Sequence, residues 1–293
     1  LFTAISVRDL TDLNVQQFSV LRRCPAPLRI AAFAMALLLI WAPLAAPIYG
    51  LVSYRNLVSI VTMALLYIEF IVLVQIWGRY VYCESGLLQS YGLRCTWQNG
   101  QNLLLGLGFS SCSLVALFGL QETLGWLVWK SPTLPLPRIL LEGLLMALLI
   151  GFVEELLFRG WLLDELQRDY SSQSVLWLNS SIFALMHLIK PLEDALRMVF
   201  ALPTLLLFGI AMVWAKRSSH HPRHPKRGLL GLPIGLHAGL VWVYYVIDVG
   251  QLVQYTQRVP EWLTGIDKNP LSSVTGLLFM GTIALLMRQY AKP

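Results

Sequence analysis

The chain has 293 residues, 56% of them hydrophobic and only 13% charged, with a mean hydropathy of +0.62. A soluble domain carries roughly 25% charged residues, so the composition excludes an ordinary soluble fold and describes an all-α, multi-pass membrane protein. The net charge is +6, but the basic residues gather in short stretches between apolar runs, as membrane topology distributes them, and no RNA- or DNA-binding pattern is present.

Residues 1–28 mix Arg8, Asp9, Asp12, Arg22 and Arg23 with polar residues. They lack the continuous apolar core of a cleavable signal and are predicted to form a cytoplasmic N-terminal arm. Runs able to cross a hydrocarbon core of about 30 Å fall near 30–53, 57–78, 102–129, 137–163, 174–189, 197–215, 229–249 and 271–289. Eight helical spans are therefore predicted. The organisation follows as N-terminal transmembrane helices over 29–136, a four-helix core over 137–249, and an interfacial segment with the last span over 250–293.

With eight spans both termini share a side, and that side receives the larger set of basic residues, among them Arg79, Arg94, Arg168, Lys216, Arg217 and Arg288. Basic loops are retained in the cytoplasm, so both termini are predicted there. The loop from Lys216 to Gly228, KRSSHHPRHPKRG, reads as a solvated turn anchoring to anionic lipid. Cys24, Cys83, Cys95 and Cys112 show neither CxxC spacing nor a paired pattern and are predicted to be free thiols. Glu69 and Glu142, also within spans, read as hydrogen-bonded packing residues or cavity liners.

The fourth span carries the costliest residues. Each ionised side chain at the centre of a membrane helix opposes insertion by roughly 2.5–3.5 kcal/mol, yet Glu154, Glu155 and Arg159 stand within six residues there. Glu155 and Arg159 are one turn apart and can pair, whereas Glu154 projects about 100° away. One carboxylate is neutralised and the other is left to act. On the fifth span Asn179, Phe183 and His187 share a face, and on the seventh His237, Val241 and Tyr244 do. With a rise of about 1.5 Å per residue, Glu154, His187 and His237 lie about 14, 16 and 12 Å from one membrane face. Three antiparallel helices would bring one carboxylate and two imidazoles to a similar level. His237 sits among Gly231, Gly235, Ala238 and Gly239, residues that also suit close helix approach.

Glu154-Glu155-xxx-Arg159, then Phe183-xxx-His187, then His237 resemble the EExxxR, FxxxH and HxxxN/D pattern of the CAAX protease and bacteriocin-processing (CPBP, Abi) family of intramembrane endopeptidases. The resemblance covers about 137–249; the other spans match only in number and hydrophobicity. Where the family carries Asn or Asp, this chain has Val241. The resemblance implies peptide-bond hydrolysis in a membrane cavity, with Glu154 as general base, His187 holding the attacking water and His237 donating to the oxyanion. Tyr244 or Asn179 could replace the missing Asn as a donor. Glu155, Arg159 and Phe183 would support the site.

One Glu and two His also make an acceptable zinc set with an open position for water. There is no HExxH, and the resemblance favours a glutamate-activated water without metal, so no cofactor is favoured. Implied partners are membrane lipid and a membrane-associated protein or peptide substrate. Relatives act on prenylated CAAX proteins in eukaryotes and are linked to peptide maturation or bacteriocin immunity in bacteria. The expected membrane is a bacterial plasma membrane or an organellar, thylakoid-type one. The rival readings are a proton-coupled transporter, which predicts repeated halves that are not found, and a catalytically weak membrane scaffold.

Overall fold

The computed structural model describes residues 20–132, 135–221, 224–266 and 269–291. Residues 1–19 of the predicted arm, with Pro222, Arg223, Lys268 and Lys292, lie outside the described residues. The chain is an all-α polytopic membrane protein. Among the described residues six helices are long and apolar enough to cross a membrane, and a shorter apolar helix lies near the C-terminus. The remaining predicted span, 174–189, is a helix of 15 residues. That length rises about 22 Å, less than a hydrocarbon core of about 30 Å, and Ser172, Gln173, Ser174, Asn179, Ser180 and Ser181 dilute its apolar character.

Two compact units divide at Ser90 and Tyr91. In the first, helices α1 (Ala26–Leu51) and α2 (Arg55–Trp77) pack through an aromatic cluster, with buried Phe33 edge-on to Phe70 and Trp77 at centroid distances of 5.9 and 5.4 Å. Trp41 Nε1 donates to the Thr62 carbonyl at 2.9 Å. Glu69 departs from expectation: both of its carboxylate oxygens are buried without a hydrogen bond among the described residues.

The second unit holds α3 (Trp97–Thr123), strand β1 (Leu127–Trp129) and α4 (Leu136–Glu155). The α4 helix runs on as a π-helix over Leu156–Leu162 and returns to α geometry over Leu163–Gln167. Next come α5 (Ser172–Met186), α6 (Leu202–Ser218), strands β2 (His220–His221) and β3 (His224–Gly228), α7 (Gly231–Val249), β4 (Val253–Tyr255) and α8 (Val274–Tyr290). The basic loop is thus an antiparallel hairpin rather than a bare turn. Helix α3 stops six residues before the predicted end, because Gly125 adopts a φ of +73° and turns the chain into β1. Strand β1 pairs antiparallel with β4, Leu127 opposite Tyr255 and Trp129 opposite Val253. That pairing holds the connection after α7 against the end of α3.

Lipid provides no hydrophobic force between helices, so close packing of small residues has to supply it. On α7, Gly231, Gly235 and Gly239 recur every four residues against α3. A Cβ at Gly235 would stand 2.0 Å from the Leu103 carbonyl oxygen, and one at Gly239 would stand 2.1 Å from Ser110 Oγ. On α4, the buried stripe is Ile139, Gly143, Ala147, Gly151 and Glu155, and a Cβ at Gly151 would lie 3.0 Å from the Ile234 carbonyl oxygen. The opposite face of α4 exposes Leu141, Leu145 and Leu149, as a lipid-facing surface should. Because the stripe ends on Glu155, the same spacing that seats α4 on α7 aims that carboxylate at α7.

Gly235→Val is expected to overpack the α3–α7 seam and destabilise the protein by about 1–3 kcal/mol. Gly108→Ala on α3, where an added Cβ meets nothing within 4 Å, is expected to leave it unchanged. Thermal unfolding of both variants in detergent checks this.

Candidate active site

Glu155 and Arg159 are fully buried, and Arg159 Nη1 meets Glu155 Oε1 at 3.1 Å. The predicted pair therefore forms. The same Oε1 lies 2.8 Å from Nδ1 of His237, which is 5% exposed. Against an ionised carboxylate, Nδ1 carries the proton, so Nε2 is the free ring nitrogen. The structure thus gives Glu155 a partner beyond the one-turn spacing that its sequence position predicts: it orients an imidazole on another helix.

Arg159 is held from further sides. Its Nη2 donates to the Gly209 carbonyl at 3.3 Å, and its guanidinium lies 4.3 Å from the centroid of the Phe183 ring. A desolvated cation over an aromatic face gains about 2 kcal/mol. Phe183 also stacks on Phe208 at 5.4 Å and meets Phe158 edge-on at 5.0 Å. Its backbone carbonyl, 2.9 Å from His187 Nδ1, can only accept, which places the proton on Nδ1 and leaves Nε2 of His187 with its lone pair. The FxxxH spacing therefore does two things. The ring of Phe183 supports Arg159 while its carbonyl fixes the tautomer of His187.

The π-helical segment is where sequence reasoning had no signal. Such segments recur at functional sites, and here two side chains from neighbouring helices brace it. Asn179 Nδ2 donates to the Phe158 carbonyl at 2.8 Å, and Lys216 Nζ donates to the Arg159 carbonyl at 2.5 Å. Two expectations are corrected. Asn179 is fully buried with its amide turned to Phe158 and does not line the cavity described next, so it does not stand where an oxyanion donor must. Lys216 is 7% exposed near the end of α6, not in the solvated loop, because α6 continues to Ser218.

A cavity of about 230 Å³ opens beside this cluster, and Glu154, His187, His237, Val241 and Tyr244 all line it. Most of the wall is apolar, including Leu114, Leu205 and Phe279. The residue pattern thus brings its carboxylate and both imidazoles to one space. Glu154 Oε2 is buried and accepts no hydrogen bond among the described residues. The zinc set is not gathered in the same way: among the described residues no three His, Cys, Asp or Glu side chains group closely enough to hold a metal ion. Tyr244 also borders a second cavity of about 730 Å³, formed largely by the 251–265 connection. One cavity-lining polar residue was missed altogether. Asn269 falls in the segment predicted to be interfacial, with no signal in the sequence that it would border the site.

The fold and this cluster define an integral membrane protein with a carboxylate–histidine site enclosed by its helices. Residues 135–243 match the family model described as Rce1-like, type II CAAX prenyl endopeptidase Rce1-like, and the match supports a CAAX protease (CPBP) family assignment for that stretch. The matched stretch contains Glu154, Glu155, Arg159, Phe183, His187 and His237. No curated protein and no solved structure matches the chain.

Arg159→Met is expected to cost about 3–5 kcal/mol by leaving the Glu155 charge buried without its cation. Arg138→Ala breaks the exposed 2.7 Å pair with Glu142 and is expected to cost no more than about 1 kcal/mol. Unfolding midpoints in one detergent compare the two.

Proposed function

We propose that the chain is an intramembrane endopeptidase in which Glu154 activates water for attack on a peptide bond of a membrane-associated protein or peptide. The observation that carries this reading is the unpartnered, buried Oε2 of Glu154 on the wall of a cavity shared with His187 and His237. Glu154 takes a proton from a water that also donates to Nε2 of His187, and the resulting hydroxide attacks the carbonyl carbon. His237, oriented by the contact of Nδ1 with Glu155, turns Nε2 to the oxyanion and donates to it once that nitrogen carries a proton. When the tetrahedral intermediate collapses, Glu154 returns its proton to the departing amine. Arg159 holds the Glu155 carboxylate in place through their 3.1 Å contact.

The apolar walls support a substrate whose reacting bond lies beside an apolar or prenylated residue, in keeping with the family's description as CAAX prenyl endopeptidases. They also keep bulk water away, which strengthens every charge interaction within the site. The reading needs no metal ion.

Purified protein in detergent is expected to cleave a fluorogenic prenylated CAAX peptide. Glu154→Gln and His187→Ala should each lose about 10²–10⁴-fold in turnover with an unchanged unfolding midpoint. Equal signals from the native protein and Glu154→Gln would sink the protease reading. Turnover should persist with a chelator present; its loss and recovery on adding zinc would return Glu154, His187 and His237 to the zinc-ligand role.

A further inference from the structure

We propose that Asn269, on the connection leading into α8, supplies the second hydrogen bond to the oxyanion in the cavity formed by Glu154, His187 and His237. The inference rests on the endopeptidase reading and extends it to a residue outside the matched stretch of 135–243.

Attack on a peptide carbonyl builds negative charge on one oxygen, and preorganised donors aimed at that oxygen are the largest single source of stabilisation in such sites. The His237 Nε2–H is one donor. On the same helix face Val241 lines the cavity and can donate nothing. The other polar side chains on the wall are those of Glu154, His187, Tyr244 and Asn269. Glu154 and His187 are committed to the water, so the second donor comes from Tyr244 or Asn269.

Asn269 is the better prepared of the two. Its Oδ1 accepts the Leu271 backbone N–H at 3.0 Å, which fixes the amide plane as the cap of the turn over Pro270–Ser272. With the oxygen held, the Nδ2 group makes no hydrogen bond among the described residues. A donor pinned from behind needs no reorganisation when charge appears, and that is the property an oxyanion site requires. Tyr244 stands at the border of two cavities, and its hydroxyl hydrogen rotates freely. The turn is itself anchored: Ser273 Oγ donates to the Pro270 carbonyl at 2.6 Å and accepts from the Gly276 N–H at 2.9 Å.

The test separates donation from support of the turn. Asn269→Ser and Asn269→Asp both keep an oxygen that can accept from Leu271, and both lose the amide N–H; only the second adds charge. Each is expected to lower kcat on the fluorogenic prenylated peptide by about 10²–10³-fold, with KM and unfolding midpoint close to those of the native protein. Tyr244→Phe is measured beside them as the rival donor. Native kcat in Asn269→Ser overturns the inference, whatever Asn269→Asp does, and so does a loss confined to Tyr244→Phe. An unfolding midpoint that drops together with kcat in both Asn269 variants reduces the residue to a support of the turn and overturns it equally. Glu154→Gln is measured alongside. If it loses turnover while Asn269→Ser does not, the donor assignment alone fails; if native protein and Glu154→Gln are equal, the endopeptidase reading fails with it.

Discussion

The sharing of one buried carboxylate oxygen between two partners organises the second unit. Glu155 Oε1 meets Arg159 within its own helix and His237 on α7. A charge at that depth is tolerated only when its counter-charge is equally desolvated and equally fixed. Arg159 meets that condition because Phe183 lies under its guanidinium and the Gly209 carbonyl accepts its second nitrogen. Four helices, α4, α5, α6 and α7, thereby contribute to one electrostatic unit. The cost of burying three polar groups is met once, by a network that also determines where the imidazole points.

Two kinds of packing share the work of keeping that unit in register. On the α3 side of α7, backbones approach through glycine to distances that exclude any side chain. On the other side, aromatic rings fill the space: Phe158, Phe183 and Phe208 meet at centroid distances between 5.0 and 5.4 Å, and the edge of Phe208 meets the His237 ring at 4.8 Å. The first seam sets the height of α7; the second sets the rotation of the ring that it carries.

What could be read from the amino-acid order was mostly what charge and periodicity encode. Three charges inside an apolar run are conspicuous because insertion penalises them, so Glu154, Glu155 and Arg159 announced themselves, and the Phe183-xxx-His187 spacing and a later intramembrane His237 followed. The Glu155–His237 contact was not legible, since it joins residues 82 positions apart and depends on how α4 seats on α7. The π-helical turn left no trace in composition, because Leu156–Leu162 is as apolar and helix-prone as the α-helical residues before it. Lys216 was misplaced for a simple reason: it opens a basic cluster, and nothing local distinguishes a lysine that folds inward from the neighbours that do not. Asn269 belongs to a turn, and turn chemistry accounts for an asparagine without any reference to a site.

The glycine seams have a further mechanical meaning. Helices that touch backbone to backbone cannot slide or part by small degrees, because every increment trades many close contacts for empty space; α3, α4 and α7 are locked together as one plate. Asn269, Pro270, Leu271, Phe279 and Met280, from α8 and the connection before it, form another part of the cavity wall. Glu154 and His237 stand on two helices of that plate, so the seams that lock the helices also fix the spacing of these two side chains.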